Sequence, residues 1–517
     1  MKKVMTSLLM TAAISAAMIS CKKDKDDAPA PTLSISPSQS AVVFNADGTP
    51  SGNTTFTVAT NQSAWDAVSS QTWCTVTKTA AGFTVSATAN ASATAPAPAT
   101  VTVTAAGATP IVINVTQAGN PLPVAKAALQ AAIDAATAAK DALTTFVEGT
   151  QYAAGNVFLG ETNTIPVGLK AVAAAVQTDY AAAIAAAQTA YNAANATVAS
   201  IETAITALAT ATAAFNTALA GATPGTKGLA ARISAANSGT TVYLYGDETA
   251  APITLTKAIT LEGAGGERTV QLASSGSLFT INTGGSLTLD NNATLRGISP
   301  NTSSNGLVYV YQGSFTMKNG SKVTGNASTA TSINTAGGVF VYTDAAALFT
   351  MEGGTITGNS SLNGGVGGLF VAGKTVISGG TISGNTGKAG NDVVVTSNSA
   401  ARLTLSGSPA IDRISVLANS VGYYGRIDVG GALTGTGFTL DLCSASPYTI
   451  AAAKTYWANI STPQILNKAS GYTGDLQTAK FTLGNWVENA ATSVVEPVAT
   501  AYPNAAINAT GVLVLVP

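Results

Sequence analysis

Residues 348–385 read LFTMEGGTITGNSSLNGGVGGLFVAGKTVISGGTISGN. Inside that stretch Phe349-Thr350-Met351-Glu352-Gly353 recurs as Thr375-Val376-Ile377-Ser378-Gly379, and Ile356-Thr357-Gly358-Asn359 recurs as Ile382-Ser383-Gly384-Asn385. The same five-residue pattern stands at Leu287-Thr288-Leu289-Asp290-Asn291, Phe315-Thr316-Met317-Lys318-Asn319 and Leu403-Thr404-Leu405-Ser406-Gly407. Its third residues return every 26 to 34 positions, a spacing typical of solenoid coils. Apolar and polar residues alternate within each segment, so one face of each short strand is apolar. A single coil cannot bury that face alone. Stacking the next coil about 4.8 Å away pairs the backbone groups and closes an apolar column. The repeat therefore predicts a parallel β-helix over residues 226–517.

The turn after each strand needs positive φ, which Gly and Asn adopt at least steric cost. Asn326, Asn359 and Asn385 fall at one repeat position, where each amide meets the next, and are expected to form a structural ladder. Open coil ends would leave strand edges unpaired. The amphipathic stretch 229–236 is expected to cap the first coil, and residues 481–515 read as the strands that end the stack. Thr241-Val242-Tyr243-Leu244-Tyr245 followed by Ile259-Thr260-Leu261-Glu262-Gly263 resembles the first rungs of pectin-lyase-like proteins, which implies a right-handed helix. The region as a whole is similar to repetitive surface proteins of Bacteroidetes and spirochaetes, most of which carry no assigned chemistry.

Before the repeat, residues 32–119 show period-two strands: Leu33/Ile35, Val43, Phe56/Val58, Phe83/Val85/Ala87, Val101/Val103 and Ile111/Ile113/Val115. About seven such strands in a segment of this size suggest an immunoglobulin-like β-sandwich. Asn61 to Trp65, Trp73-Cys74-Thr75-Val76 and the closing Val115-Thr116-Gln117-Ala118-Gly119 resemble the BACON domain of Bacteroidetes surface proteins. The Arg that family often has before Ala99-Thr100-Val101 is absent. Trp65 and Trp73 are expected to plug the sandwich core; the resemblance also allows a sugar-stacking role. Residues 123–222 change to helical spacing, with Leu129, Ile133, Leu143 and Val147 in one helix, Leu169, Val172, Val176, Tyr180, Ile184 and Tyr191 in a second, and Ile201, Ile205, Leu208, Phe215 and Leu219 in a third. An Ala-rich three-helix bundle follows, similar to FIVAR-type spacers. The fold class is multidomain and mainly β.

Lys2 and Lys3, the apolar run from Val4 to Ile19, and Ser20-Cys21 have the layout of a signal peptide and resemble a lipobox. Residues 1–20 would be removed and Cys21 acylated, leaving 21–31 as a polar tether. Lys22-Lys23-Asp24-Lys25-Asp26-Asp27 resembles the export tag of Bacteroidetes surface lipoproteins. These resemblances imply outer-membrane lipid as a partner and a location facing the cell exterior. Cys74 and Cys443 lie in different expected domains, so no disulfide is expected between them.

Charged residues are 9% of the chain and the net charge is −1, which offers no basic face for nucleic acid. Histidine is absent, removing the commonest general base and metal ligand near neutral pH. No catalytic residue, metal site or cofactor is assigned. Asp290 and Glu352 occupy comparable repeat positions, but Lys318 and Ser378 take the equivalents. Asp247-Glu248 would point to opposite faces, and Arg413-Ile414 lacks a following Lys. The positive feature is aromatic. Aligning Leu278-Phe279-Thr280, Val308-Tyr309-Val310, Val339-Phe340-Val341 and Leu369-Phe370-Val371 sends Phe279, Tyr309, Phe340 and Phe370 outward, with Tyr311 and Tyr342 beside two of them. Such a row suits sugar rings or a host surface. Two alternatives stay open: a neighbouring segment covers the row, or the register is reversed and the rings fill the core. Display for glycan or host-surface binding is the first functional expectation, a structural or adhesive role the second, and a polysaccharide lyase or glycoside hydrolase the third.

Overall fold

The computed structural model describes residues 29–515, except 333, 362, 447–448 and 490–493. Cys21, the apolar run before it and the charged tag after it lie outside the described residues. The chain is mainly β, and its described residues divide into two compact units, one of those up to 134 with 185–208, the other of 135–184 with those from 209 on.

In the first unit Leu33–Ser36, Thr55–Thr60, Gly82–Ala87 and Cys74–Lys78 form one antiparallel sheet. Ala41–Phe44, Ile111–Gln117, Ala99–Ala105 and Trp65–Ser69 form a second, in which only the Ala41–Phe44 edge pairs parallel. Both contribute to one core containing Ile35, Val42, Phe44, Phe56, Val85, Val101, Ile113 and Val115, a sandwich-like arrangement. Val43 is half exposed while Val42 and Phe44 are buried. The expected inward position there is off by one, because Val42 and Val43 are equally apolar and only the register separates them. Trp65 and Trp73 are half-buried against the core, and the Trp73 indole donates to the Ala97 carbonyl at 3.1 Å.

Three long helices, α1 (Pro121–Ala142), α2 (Ala174–Asn192) and α3 (Val198–Ala220), are divided between the units. Leu129, Ile133, Ile201 and Leu208 are buried in the first, and Leu143, Tyr180 and Phe215 in the second. Tyr180 stacks on Phe215 at 4.3 Å. The helices start and stop differently from the spacing. α1 ends at Ala142, leaving Val147 exposed. Leu169 and Val172 precede α2, and Lys170–Val172 is a strand between Val157–Leu159 and Thr223–Pro224.

The second unit is dominated by three parallel sheets of nine, seven and ten strands. The chain visits them in turn, so neighbours within a sheet are one coil apart, as in a parallel β-helix. Thr240–Leu244, Ala258–Gly263, Ser286–Leu289, Ser314–Met317, Leu348–Met351, Lys374–Ile377, Arg402–Gly407, Ile427–Leu433 and Leu466–Lys468 form the first sheet. The second runs from Glu248–Ala250 to Ala410–Ile411, and the third from Ile253–Leu255 to Val494–Pro497, its final pair antiparallel. Register stacks like on like. Leu289, Met317, Met351, Ile377 and Leu405 form one inward column, and Leu287, Phe315, Phe349, Thr375 and Leu403 another. Phe315 and Phe349 stack at 5.2 Å. Thr288, Thr316, Thr350 and Thr404 alternate to the outside, as a period of two requires.

At the first coil α4 (Leu229–Ala235) buries Leu229 and Ile233 against the solenoid core. Segment 144–172 also belongs to this end. Tyr245 donates its hydroxyl to the Thr150 carbonyl at 2.6 Å and packs with Phe158, Ile165 and Leu169. Gly168, at φ +91°, lies so close that a Cβ would stand 2.3 Å from the Tyr245 carbonyl carbon. At the far end α5 (Ile450–Ala458), which the spacing does not predict, buries Trp457 in the core.

Candidate functional site

The outward side of the third sheet carries the candidate site. Its register aligns Thr254, Thr280, Tyr309, Phe340, Phe370, Val394, Ser415 and Asp441 in one column. Tyr309, Phe340 and Phe370 thus share the outer face. Phe279 does not. It pairs with Ile253 and Val308 and is fully buried in the solenoid core, while Thr280 holds the outward place. The strand is Phe279–Ile281, one residue later than the alignment on Leu278-Phe279-Thr280 supposes. A one-residue slip sends every side chain to the opposite face.

Two of the outward rings are covered. Phe340 and Phe370 stack at 4.9 Å with planes 4° apart, and both are buried. Ala336, Val366 and Ala389, from the loops that precede successive strands, join them with Val394 in a second apolar cluster outside the coil. Ala336 and Val366 are themselves bridge partners, so the loops stack in the same rhythm as the rungs.

Three tyrosines remain accessible. Tyr342 is 36% exposed, and Tyr309 and Tyr311 are half-buried. Ring centroids lie 5.1 Å apart for Tyr311 and Tyr342, 5.6 Å for Tyr309 and Tyr311, and 6.1 Å for Tyr309 and Tyr342. Tyr311 and Tyr342 each follow directly after their strand, and their N–H groups donate to the Ile281 and Val310 carbonyls of the preceding coil at 3.1 and 2.9 Å. The backbone therefore fixes the base of both rings. Burial and the neighbouring phenols push the Tyr309 hydroxyl up to about 12, so it stays a neutral donor and acceptor. A polar row crosses three successive rungs, one or two residues past their third-sheet strands or the tyrosines that follow them. Thr283 donates to Gln312 Oε1 at 3.0 Å, and Gln312 Nε2 donates to Asp344 Oδ2 at 3.1 Å. The Ala346 N–H and the Gln312 amide hold the Asp344 carboxyl below its ordinary value.

The Asn positions form a directed chain of hydrogen bonds. Asn326 N–H donates to Asn359 Oδ1 at 3.2 Å, and Asn359 donates through N–H and Nδ2 to Asn385 Oδ1, both at 3.1 Å. Asn301 Nδ2 donates into Asn326 at 2.8 Å. Asn385 donates to Asp392 Oδ1 at 3.2 and 3.0 Å. All five side chains are buried. The preceding Gly325, Gly358 and Gly384 carry the positive φ of the turn. Asn301 and Asp392 were not singled out by the repeat, because neither stands in the Gly-Asn motif.

Carboxylates gather at two other places. Asp290, Lys318 and Glu352 directly follow matching strands of the first sheet, and Glu262 lies within the strand Ala258–Gly263 before them. Lys318 pairs with Asp290 at 2.8 Å, and a shallow cleft of about 340 Å³ is lined by Asp290, Asn291, Lys318, Asn319 and Glu352. Burial, then the Asp290 charge, raises the Glu262 carboxyl. At the first coil Arg232 is fully buried, donating to Glu148 at 3.1 and 2.7 Å and to the Tyr243 carbonyl at 2.6 Å. Glu248 accepts from the Leu229 N–H at 2.7 Å, with its other oxygen 3.9 Å from Arg232 Nη1; neither of those two facing atoms has a hydrogen-bond partner. Burial raises the Glu248 carboxyl more than Arg232 lowers it. Asp247 points away and accepts from the Thr269 N–H. Arg413 forms a two-pronged pair with Asp441. Cys74 and Cys443 are free and buried. Among the described residues no three His, Cys, Asp or Glu side chains come together as a metal site.

No protein-family model matches the chain, and no curated protein matches it. Among solved structures, a Bacteroides ovatus GH5 xyloglucanase in complex with a XXXG heptasaccharide is 17% identical, with a TM-score of 0.16, over 35% of this chain and 44% of that one. The match thus spans less than half of that enzyme, and at this TM-score it carries no weight for fold or activity.

Proposed function

We propose that the protein is a non-catalytic, lipid-anchored surface protein that displays a right-handed β-helix for contact with glycan or a host surface. In this reading Cys21 is acylated, residues 32–119 are a BACON-like immunoglobulin-type sandwich, and 123–222 form a helical spacer. The observation that carries the binding role is the accessible trio Tyr309, Tyr311 and Tyr342 on the outer wall. Aromatic rings held by stacked backbone offer a π surface at low ordering cost, since the rungs fix them before any ligand arrives. Protease treatment of intact cells, compared with lysed cells, tests exposure; retention of the full chain on intact cells only would refute it. A glycan array with the wild type and a Tyr311→Ala/Tyr342→Ala variant tests binding; identical profiles would refute the site.

The covered rings Phe340 and Phe370 favour a second reading, in which the solenoid is a structural or adhesive wall without a specific glycan. Against the lyase or hydrolase reading stands Lys318, which ties up Asp290 where a second free carboxylate would be required.

A further inference from the structure

We infer that Tyr309, Tyr311 and Tyr342, with Thr283, Gln312 and Asp344, form a trough for one linear, uncharged glycan chain running along the stacking direction of the coils. This rests on the glycan-binding reading above and specifies its ligand. Three features of the patch point the same way.

The first is spacing. Tyr311 and Tyr342 stand on adjacent rungs with centroids 5.1 Å apart, and one residue of an extended pyranose chain advances by nearly one rung. A chain laid along the axis therefore meets a tyrosine at each of two successive rungs, whereas a chain laid across the rungs meets one ring and then the rim. The second is shape. The two planes are inclined by 40°, and Tyr309 closes the inner side at 78° to Tyr342. That is a trough, suited to a single twisted chain. The third is charge. Segments 308–312 and 339–344 contain no lysine or arginine, and the charged group at the rim is the Asp344 carboxylate. Within these segments a uronate or sulfated chain would meet like charge at Asp344; the exposed Lys374 follows Gly373, beyond the last tyrosine.

The polar row crosses successive rungs past the third-sheet strands. Thr283, Gln312 and Asp344 are already bonded head to tail, so they are oriented in advance. Their remaining lone pairs and amide proton are the groups that would bond the hydroxyls of a chain stacked on the tyrosines. Asp344 accepts from a sugar hydroxyl, which a neutral glycan supplies at every ring. At its far end the trough is closed by Gly373, whose missing side chain lets the next turn pass against the Tyr342 carbonyl; a Cβ would stand 2.1 Å from that oxygen. With no ring there, the platform spans about two to three sugar units.

The test uses the full-length chain with two soluble probes of equal length, cellohexaose and a hexamer of galacturonate, read by titration calorimetry at low salt. Expected is saturable binding of cellohexaose, weakened about tenfold or more by Tyr342→Ala, with the galacturonate hexamer bound at least tenfold more weakly than cellohexaose. Gln312→Ala weakens cellohexaose several-fold without moving the melting temperature, which separates loss of contact from loss of fold. Equal or tighter binding of the galacturonate hexamer, still lost in Tyr342→Ala, overturns the uncharged-chain assignment while leaving a tyrosine glycan site in place. Cellohexaose binding unchanged in both variants overturns the trough. Failure of both hexamers, and of every glycan on an array, to bind the wild type overturns the underlying reading as well.

Discussion

Asn359→Ala removes the middle of the buried Asn chain, and its cost can be worked from the bonds lost. The Asn359 amide accepts from Asn326 N–H and donates to the Val323 carbonyl, the Thr357 carbonyl and Asn385 Oδ1. Alanine leaves the buried Asn326 N–H without an acceptor, which costs about 1–3 kcal/mol for one orphaned donor. The carbonyls that lose a donor add a smaller amount, since their strand neighbours partly satisfy them, for a total of about 2–4 kcal/mol. In a stacked fold that loss is local, felt by the coil and its two neighbours. The assay is hydrogen exchange by mass spectrometry on peptides covering 323–328, 356–361 and 382–387. Exchange there should speed up roughly 30- to 1,000-fold, as 1.4 kcal/mol is about tenfold, while peptides at 427–433 stay unchanged. Asn363→Ala is the control, because that exposed amide donates only to the Thr329 carbonyl. Acceleration below about threefold at 326 and 359, or equal acceleration in distant coils, would show that the amides are ornaments on a stack held by its apolar column alone.

Arg232→Met should destabilise the first coil by about 3–5 kcal/mol, because it strands the Glu148 and Glu248 carboxylates without their cation; urea unfolding with proteolysis at 226–263 as readout should show that end open first. Glu248 has its carboxyl raised above the ordinary 4.5, so the folded chain holds that proton more tightly than the unfolded one. Stability from this group is therefore greatest below the ordinary value and declines as pH rises through the raised folded value. Glu248→Gln should flatten the melting temperature across that window relative to wild type, and an unchanged slope would refute the assignment. Phe370→Ala should cost about 3–5 kcal/mol by emptying the covered cluster, whereas Tyr342→Ala should stay within about 0.5 kcal/mol; equal losses in thermal melts would mean the two rings are equally packed. Phe279→Thr should destabilise by at least about 2 kcal/mol as a core truncation and Thr280→Val should not, which tests the register directly.

The coil was legible because its signals are local and repeated. A three- or four-residue strand with alternating side chains, a Gly at positive φ and a buried Asn recur together, and each alone would be weak. Phe279 shows the limit. Leu278, Phe279 and Ile281 are all apolar and all buried, so two frames one residue apart fit the pattern, and only pairing with Ile253 and Val308 decides between them. Val42 and Val43 pose the same problem in the sandwich-like region. Helix ends were misplaced for a different reason: alanine is indifferent to burial, so Leu169 and Val172 extend the α2 spacing although the backbone there pairs as a strand. Arg232 could not be read from spacing at all, since its partner Glu148 lies 84 residues away, in the stretch between α1 and α2. The resemblances at the N-terminus concern residues outside those described.

The aromatic column on the third sheet explains why the accessible aromatic patch is so small. Stacked rungs repeat whatever the outward residue is, so an aromatic there becomes an apolar stripe along the wall, and a stripe of that kind invites association. From Phe340 onward the chain manages the stripe with its own loops, each adding Ala336, Val366 or Ala389 over the ring beside it. The covering works because those loops carry paired glycines: Gly337-Gly338 and Gly367-Gly368 pass where a Cβ at Gly337 or Gly367 would stand 2.5 or 2.3 Å from neighbouring backbone. The coil before has Asn305 at the bridging position that Ala336 and Val366 fill later, and Asn cannot serve as an apolar lid. Tyr309 is thus left half open, and the residues beside it are tyrosines, which tolerate water at one end, where later coils have Ala372 or Thr396. The accessible patch is therefore the place where the covering stops, and the change from Phe to Tyr marks the boundary.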